Sequence, residues 1–433
     1  MNYSPRDWKS DRLKDVSAIN ADSLPANTDP DYEFDYLEIS NVDYRGIIDP
    51  KAIERLRFED SPSRARRRVA QNCTIVSSVR PNLQAVALVN DGPKDLVCST
   101  GFNVVQPANH KLSPKFAYYA LISENARQYF EATAKGVGYP AIDDKDFDSF
   151  ALWLPSQSEQ QRITDYLDTS CASIDAVITA KLRQLETLDA VKQSMISQTV
   201  TKGLNRQVEL CDSGIEWFGR IPKHWRCEHL KRFTARIQTG CTPPTDTPDY
   251  YLDGTIQWFA PGSYDGDIEL REPRKLINEV ARLEGVLRVF PAETVFLVGI
   301  GATIGKVGLI LEEASCNQQI IGIVPNHKLL GRYLAYQFKI YEKIIPGIAS
   351  ATTLPIFDQV KTGYLPTLQP PLAEQERICV YLDAKLAELK HIGANIETQI
   401  ATLTAYRKSL INECVTGQRR VTAAEPIKVQ THG

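Results

Sequence analysis

Residues Ser158–Asp168 read SEQQRITDYLD, and residues Ala373–Asp383 read AEQERICVYLD. Each copy follows a proline and precedes a long run of helix-forming residues, so the chain states one local structure twice. The likeness extends in both directions. Pro5-Arg-Asp-Trp8, with Leu13-Lys14 behind it, returns as Pro222-Lys-His-Trp225 with Leu230-Lys231, and Asn109-His-Lys-Leu112 returns as Asn326-His-Lys-Leu329. A period of about 217 residues is far too long for a solenoid and indicates duplication of whole domains. Between these anchors the halves diverge: Asp31–Arg68 has no clear likeness to Pro248–Arg288.

Composition narrows the possibilities. A chain of 433 residues with 43 % hydrophobic content can fill more than one core. It has no apolar run long enough for a membrane span, and its charged start MNYSPRDWKSDRLKD does not resemble a signal peptide, so a cytoplasmic location is expected. The nine cysteines are scattered and never spaced C-x-x-C, which argues against a disulfide framework or a zinc site. The net charge of -3 lacks the basic excess of a simple nucleic-acid-binding domain. A large scaffold can still hold local basic patches.

Short β-branched runs bounded by Gly, Pro and Asn predict strands at 72–79, 84–89, 294–298, 306–310 and 319–324, and helical spacing appears at 114–131 and 330–343. Each half thus opens with an α+β domain and closes on a long helix. The apolar seam runs through Cys171, Ile174, Ile178, Leu185, Leu188 and Met195, and again through Leu382, Leu386, Leu389, Ile396, Ile400, Leu403 and Leu410. Lys181, Lys192, Gly393 and Arg407 interrupt it. Ser158 with Gln161 is expected to cap the first helix. If the two helices pair as an antiparallel coiled coil, the duplicated unit gains pseudo-two-fold symmetry; the simpler alternative is that each helix faces only its own domain. The expected division is domain 1 at 1–153, helix 154–204, domain 2 at 205–368, helix 369–420 and a flexible tail at 421–433.

No complete active site is visible. Gly299-Ile-Gly301-Ala-Thr303-Ile-Gly305-Lys306 fails both the P-loop and the dinucleotide spacings. It reads better as a tight strand connection whose Thr303 and Lys306 approach a DNA phosphate. No histidine or serine motif of a metalloenzyme or hydrolase occurs. Asp383 with Glu388 and Lys390 lies on a helix and reads as a solvated face. Polar clusters are better represented. Arg64, Arg66, Arg67 and Arg68 form a basic run suited to phosphates or to a solvated helix face. Ser77, Arg80, Asn82 and Gln84 in the first half, and Gln238, Thr239, Thr242, Asn317, Gln318 and Gln319 in the second, offer side chains that pair with base edges.

With its twin Glu-Gln-x-Arg-Ile phrases, the inter-repeat Gly214-Ile-Glu-Trp217-Phe-Gly-Arg-Ile-Pro222-Lys-His-Trp225, Gly240-Cys-Thr-Pro-Pro244 and Gly301-Ala-Thr-Ile-Gly305-Lys306, the chain resembles the specificity subunit of type I restriction-modification enzymes. The first half departs from the pattern, carrying Val79-Arg80-Pro81-Asn82-Leu83 where the second has the glycine loop. The resemblance implies two tandem target recognition domains, each reading half of a bipartite double-stranded DNA sequence, and a helix pair that sets the gap. It implies a docking surface for two methyltransferase (modification) subunits at Glu159, Gln160, Arg162, Ile163, Glu374, Gln375, Arg377 and Ile378, with motor-nuclease (restriction) subunits joining the complex. No cofactor is expected on this chain; S-adenosylmethionine, ATP and Mg belong to the partners. The alternatives are a self-contained nuclease or methyltransferase, and a coiled-coil protein adaptor without DNA sequence specificity.

Overall fold

β-Branched and aromatic runs form the strands, and they do so twice in one order. The computed structural model describes residues 7–43, 46–81, 85–90, 95–108, 110–349 and 355–422. Two units result: residues 1–182 with 397–433, and residues 183–396. In the first, a four-stranded antiparallel sheet has the order Ser17–Ile19, Phe102–Pro107, Cys73–Ser77, Val86–Val89. A second sheet runs Glu54–Arg57, Glu33–Leu37, Leu96–Ser99, Ala65–Arg68, with its middle pair parallel. The other unit repeats both. Its sheets run Thr234–Thr239, Ile320–Pro325, Val295–Val298, Val307–Leu309 and Lys275–Ile277, Ile256–Phe259, Ala314–Cys316, Val289–Phe290, again with a parallel middle pair. Interior strands such as Val295–Val298 are buried along their whole length, as strands covered on both faces must be. The halves that share no clear sequence between 31–68 and 248–288 therefore share topology.

A helix packs against each antiparallel sheet: Pro114–Leu121 in the first unit and Gly331–Ile348 in the second. Behind it lies a long helix, Gln157–Lys202 or Leu372–Val415, about 69 and 66 Å in length at 1.5 Å per residue. The first helix is capped two residues earlier than expected. Ser156, not Ser158, occupies the cap position and its hydroxyl accepts the Glu159 N–H at 3.4 Å, while Gln161 reaches forward to Asp165 at 2.7 Å. A serine at position 158 already lies inside the helix and cannot cap it. Each helix stops at a glycine in the left-handed region, Gly203 (φ 70) and Gly417 (φ 74), the conformation that frees the chain to turn away.

Within each unit the two long helices run antiparallel. In the first, Ile163, Leu167, Cys171 and Ile174 share a core with Leu410, Ile411, Cys414 and Val415. In the second, Ile196 and Val200 share a core with Ile378, Cys379 and Leu382. Two of the seam interruptions are accommodated there. Arg407 pairs with Asp175 at 3.1 Å, and a Cβ on Gly393 would lie 3.4 Å from Leu188, so the small residue makes room for the large one. Val421, expected to begin a flexible tail, is buried in the first unit's core, and residues 423–433 lie outside the described residues.

The repeated phrase is spent on joining helix to domain. Gln160 is fully buried; its Oε1 accepts the Ser113 N–H at 2.8 Å, and its Nε2 donates to the carbonyls of Lys111 (2.9 Å) and Pro155 (3.1 Å). Gln375 repeats this with Leu330 (2.8 Å), Lys328 (3.0 Å) and Pro370 (2.8 Å). Two turns on, Asp168 accepts the Tyr119 hydroxyl at 2.8 Å and pairs with Lys115, while Asp383 accepts the Tyr336 hydroxyl and pairs with Arg332 at 3.0 Å. Burial, then the adjoining carboxylate, pushes both phenols well above the usual tyrosine range. Replacing Gln160 by leucine leaves one N–H and two carbonyls without that partner, each costing about 1–3 kcal/mol, whereas beside Gln375 the Gln369 amide also reaches the Lys328 and Pro370 carbonyls, at 3.5 and 3.2 Å. Gln160→Leu is expected to lower unfolding free energy by about 3 kcal/mol or more and Gln375→Leu by about 1–3 kcal/mol, read as a fall in denaturant midpoint, whereas exposed Arg162→Ala stays within about 0.5 kcal/mol.

Candidate nucleic-acid interface

In the second unit, three segments separated in sequence meet at one end of the antiparallel sheet. Gln238 and Thr239 end its edge strand, and Gly240 lies so near the next chain that a Cβ would fall 2.0 Å from the Cys316 carbonyl oxygen. Only glycine fits. Asn317-Gln318-Gln319 forms the neighbouring turn, and Thr242 donates to Gln318 at 2.6 Å. The glycine segment is the connection between strands Val295–Val298 and Val307–Leu309, as its composition suggests, and its Gly299 N–H reaches the Gln319 carbonyl at 2.8 Å. Gly301 (φ 102) and Gly305 (φ 91) take conformations that L side chains avoid. Lys306 and Gln318 are exposed here and Thr303 is half-buried. Asn317, by contrast, is buried and shapes the turn: its Oδ1 accepts the Gln319 N–H at 3.1 Å and its Nδ2 donates to Gln319 at 2.9 Å. Arg288, missed in the sequence, donates to the Gly240 and Thr239 carbonyls.

The first unit builds the same end from unlike residues. The connection after strand Cys73–Ser77 takes the place of the glycine loop. Equivalent bridges tie each to a following segment, Val79 to Ala141 and Ile300 to Ile356. Ser77 is buried and its hydroxyl donates to the Val79 carbonyl at 2.7 Å, so it supports the loop instead of facing outward. Arg80 is exposed, with φ 51, and its guanidinium stacks on Tyr139 at 4.3 Å. Asn82 and Gln84 lie outside the described residues. The turn at Gly136-Val137-Gly138-Tyr139 was not foreseen; Tyr139 is 71 % exposed and Val137 fully so. Apolar side chains between two glycines were the available signal.

The basic run is a strand, not a helix face: Ala65–Arg68 is an edge of the mixed sheet. Its four arginines consequently point different ways. Arg64 pairs with Glu38, whose carboxyl it holds below the usual range. Arg66 lies over Phe58 at 4.5 Å and Arg68 over Tyr32 at 5.5 Å. Arg67 turns inward to the Asn103 side chain (2.9 Å) and the Phe102 carbonyl, and burial lowers its pKa.

The expected subunit-docking residues also divide. Gln160, Gln375, Ile163 and Ile378 are buried and hold the fold, so they are not surface contacts. Glu374 accepts from the Trp225 indole at 3.1 Å and lies 3.0 Å from the His224 imidazole. Glu159 is half-buried at the helix start, and of the eight only Arg162 and Arg377 are exposed. Among the described residues no group of His, Cys, Asp and Glu could hold a metal ion, and no helix is long and apolar enough to cross a membrane.

Comparison with known proteins places this architecture. The family described as Type I restriction modification DNA specificity domain matches residues 5–187 and 234–400. The chain is 20 % identical over 392 residues to the type I restriction enzyme HindI specificity subunit of Haemophilus influenzae, covering 77 % of this chain and 82 % of that one. It is also 20 % identical over 430 residues to the MjaIX specificity subunit of Methanocaldococcus jannaschii, covering 96 % and 94 %. Among solved structures, a chain from work on complex assembly and conformational transition of the type I R-M system superposes with a TM-score of 0.80 at 21 % identity, covering 96 % of this chain and all of that one. The HsdS subunit from Thermoanaerobacter tengcongensis gives 0.56 at 20 % identity, covering 96 % and 98 %.

The placement of the arginines separates stability from surface chemistry. Arg67→Ala is expected to cost about 1–3 kcal/mol, because it strands the Phe102 carbonyl. Arg68→Ala should change stability by less than about 0.5 kcal/mol. Thermal unfolding of the two variants checks the difference.

Proposed function

The chain belongs to the family of type I restriction-modification DNA specificity subunits, and from that membership we propose that each unit reads one half of an asymmetric, bipartite double-stranded DNA target. The observation carrying this reading is that both units gather loops at the same end of the same sheet and build them from different residues. Gln238, Thr239, Thr242, Gln318, Gln319, Thr303 and Lys306 form the reader in the second unit. Arg80 with Tyr139 anchors that of the first, with Arg66 and Arg68 on a strand of the same unit. A common frame with differing tips recognises two different half-sequences, because amide and guanidinium side chains distinguish base edges while lysines and backbone N–H groups hold phosphates.

On this reading the long helices fix the separation between half-sites and dock two methyltransferase subunits through their exposed residues, Arg162 and Arg377 among them. The subunit is itself non-catalytic. S-adenosylmethionine serves the modification partners, and ATP and Mg the motor-nuclease partners, in a cytoplasmic complex. Chemistry then needs nothing from this chain except position, which accords with its side chains being committed to packing, pinning and loop shape.

Single-molecule methylation mapping tests the proposal. DNA from cells co-expressing the chain with its modification partner should carry a bipartite, asymmetric adenine-methylated motif that is absent without the chain. Exchanging residues 1–150 for those of a relative should alter one half of the motif and leave the other. Methylation that is unchanged by removing the chain, with expression and complex formation confirmed, would overturn it and favour a protein adaptor.

A further inference from the structure

The second unit carries a basic patch away from its loops. Strand Arg226–His229, the turn Leu230–Arg232 and the short helix Gln359–Gly363 gather His229, Lys231, Arg232 and Lys361 about Tyr364. The Lys231 ammonium sits 3.7 Å from the centre of the Tyr364 ring, and the His229 imidazole meets the ring edge-on at 5.2 Å. His229 Nδ1 is 2.9 Å from the Tyr364 carbonyl oxygen, which fixes the imidazole in place. Backbone approach is close as well, since a Cβ on Gly363 would lie 3.7 Å from that of Lys231. The ring is 52 % exposed. Among the described residues neither His229 nor Lys231 has an ion-pair partner, and Arg232 comes only within 3.9 Å of Glu228. Exposed basic side chains such as His229 and Lys231, set against an aromatic face, suit a polyanion.

The same positions in the first unit are neutralised. Arg12, Lys14 and Asp15 stand where His229, Lys231 and Arg232 stand, and Asp143, Asp144, Asp146 and Asp148 replace Asp358, Gln359, Lys361 and Gly363. Arg12 pairs with Asp15 at 2.8 Å, Lys14 interacts with Asp148, and Asp143 and Asp146 are taken up by Lys135. Two units of one topology therefore differ in charge at one place in the fold.

Position favours DNA as the occupant. Strand Thr234–Thr239 leads from this patch to the loop end at Gln238 and Thr239, spanning about 17 Å at roughly 3.3 Å per residue. That length matches about five base-pair steps of 3.4 Å. A duplex whose bases meet the loops thus brings a phosphate over Tyr364. Resting on the proposed reading of the loops, we infer that His229, Lys231, Arg232 and Tyr364 grip the DNA phosphate backbone beside the second half-site, and that the first unit makes no such contact.

The experiment uses the full chain in complex with its modification subunits and a duplex bearing the methylation motif mapped for the wild type. Affinity is followed by fluorescence anisotropy across salt concentrations. Each phosphate contact contributes about 0.9 to the log–log salt slope, so the double variant K231Q/R232Q is expected to lose about 1.8 of it. From 50 to 200 mM salt, the wild-type complex should then weaken about tenfold more than the variant. K231R retains the slope, and K14Q in the first unit leaves it unchanged. The mapped motif stays the same in all variants, because phosphate contacts carry no sequence information. An unchanged slope in an intact K231Q/R232Q complex would overturn the inference. So would loss of the modification subunits from that complex, which would make the patch a protein-docking surface. Absence of any motif preference in the wild-type complex would instead sink the underlying reading.

Discussion

A buried glutamine side chain at the start of each long helix is the constraint on which the rest depends. Gln160 and Gln375 each bond one N–H and two carbonyls of the adjoining segments. Only a primary amide supplies one acceptor and two donors at that reach. The glutamine holds the first turn of the domain helix to the first turn of the long helix, and the Asp168–Tyr119 and Asp383–Tyr336 latches hold the next two turns. The sheet packs on the domain helix, and the reading loops project from the sheet. A shift at the amide would therefore move the loops, which explains why an identical phrase stands at both junctions of a chain whose intervening sequence has diverged.

Local periodicity and repetition made the scaffold legible. Strands at 73–77, 295–298 and 320–325 and both long helices follow from β-branched runs and from a seam of alternating three and four. The mixed sheet in each unit was not legible, because its central parallel pair joins residues about 60 apart and its two copies show no clear likeness in sequence. Burial pattern, not identity, sets that sheet. The helix cap was misplaced by two residues because Ser156 and Ser158 both precede a plausible partner, and only the backbone turn decides between them.

The candidate site was half legible. Sequence motifs found the glycine loop and the Asn317–Gln319 turn, yet gave no sign that Asn317 would be buried in shaping the turn while Gln318 stays exposed, accepting from Thr242. Arg67 shows the same difficulty: in a run of four arginines, strand alternation sends one inward, and composition alone cannot say which. Four of the eight expected docking residues, Gln160, Ile163, Gln375 and Ile378, are buried for a related reason. Repetition marks the buried pins as well as the exposed Arg162 and Arg377, while the neighbouring exposed position is Gln161 in one copy and Glu376 in the other.

Discrimination on the proposed reading follows from this division of labour. A correct bidentate contact to a base edge is worth about 1–3 kcal/mol against the wrong base. One set of loops presents only a few such side chains. Two sets on one chain add their free energies, so the preference for a joint target is the product of two modest preferences, and neither half needs to bind tightly alone. Weak halves require that the net charge stay low, since a strongly basic surface would hold any duplex irrespective of sequence. A chain of net charge -3 that leaves Lys306 and Lys231 exposed without an ion-pair partner among the described residues meets that requirement. Phosphate grip at a single place on the second unit would supply register without swamping the choice made by the loops.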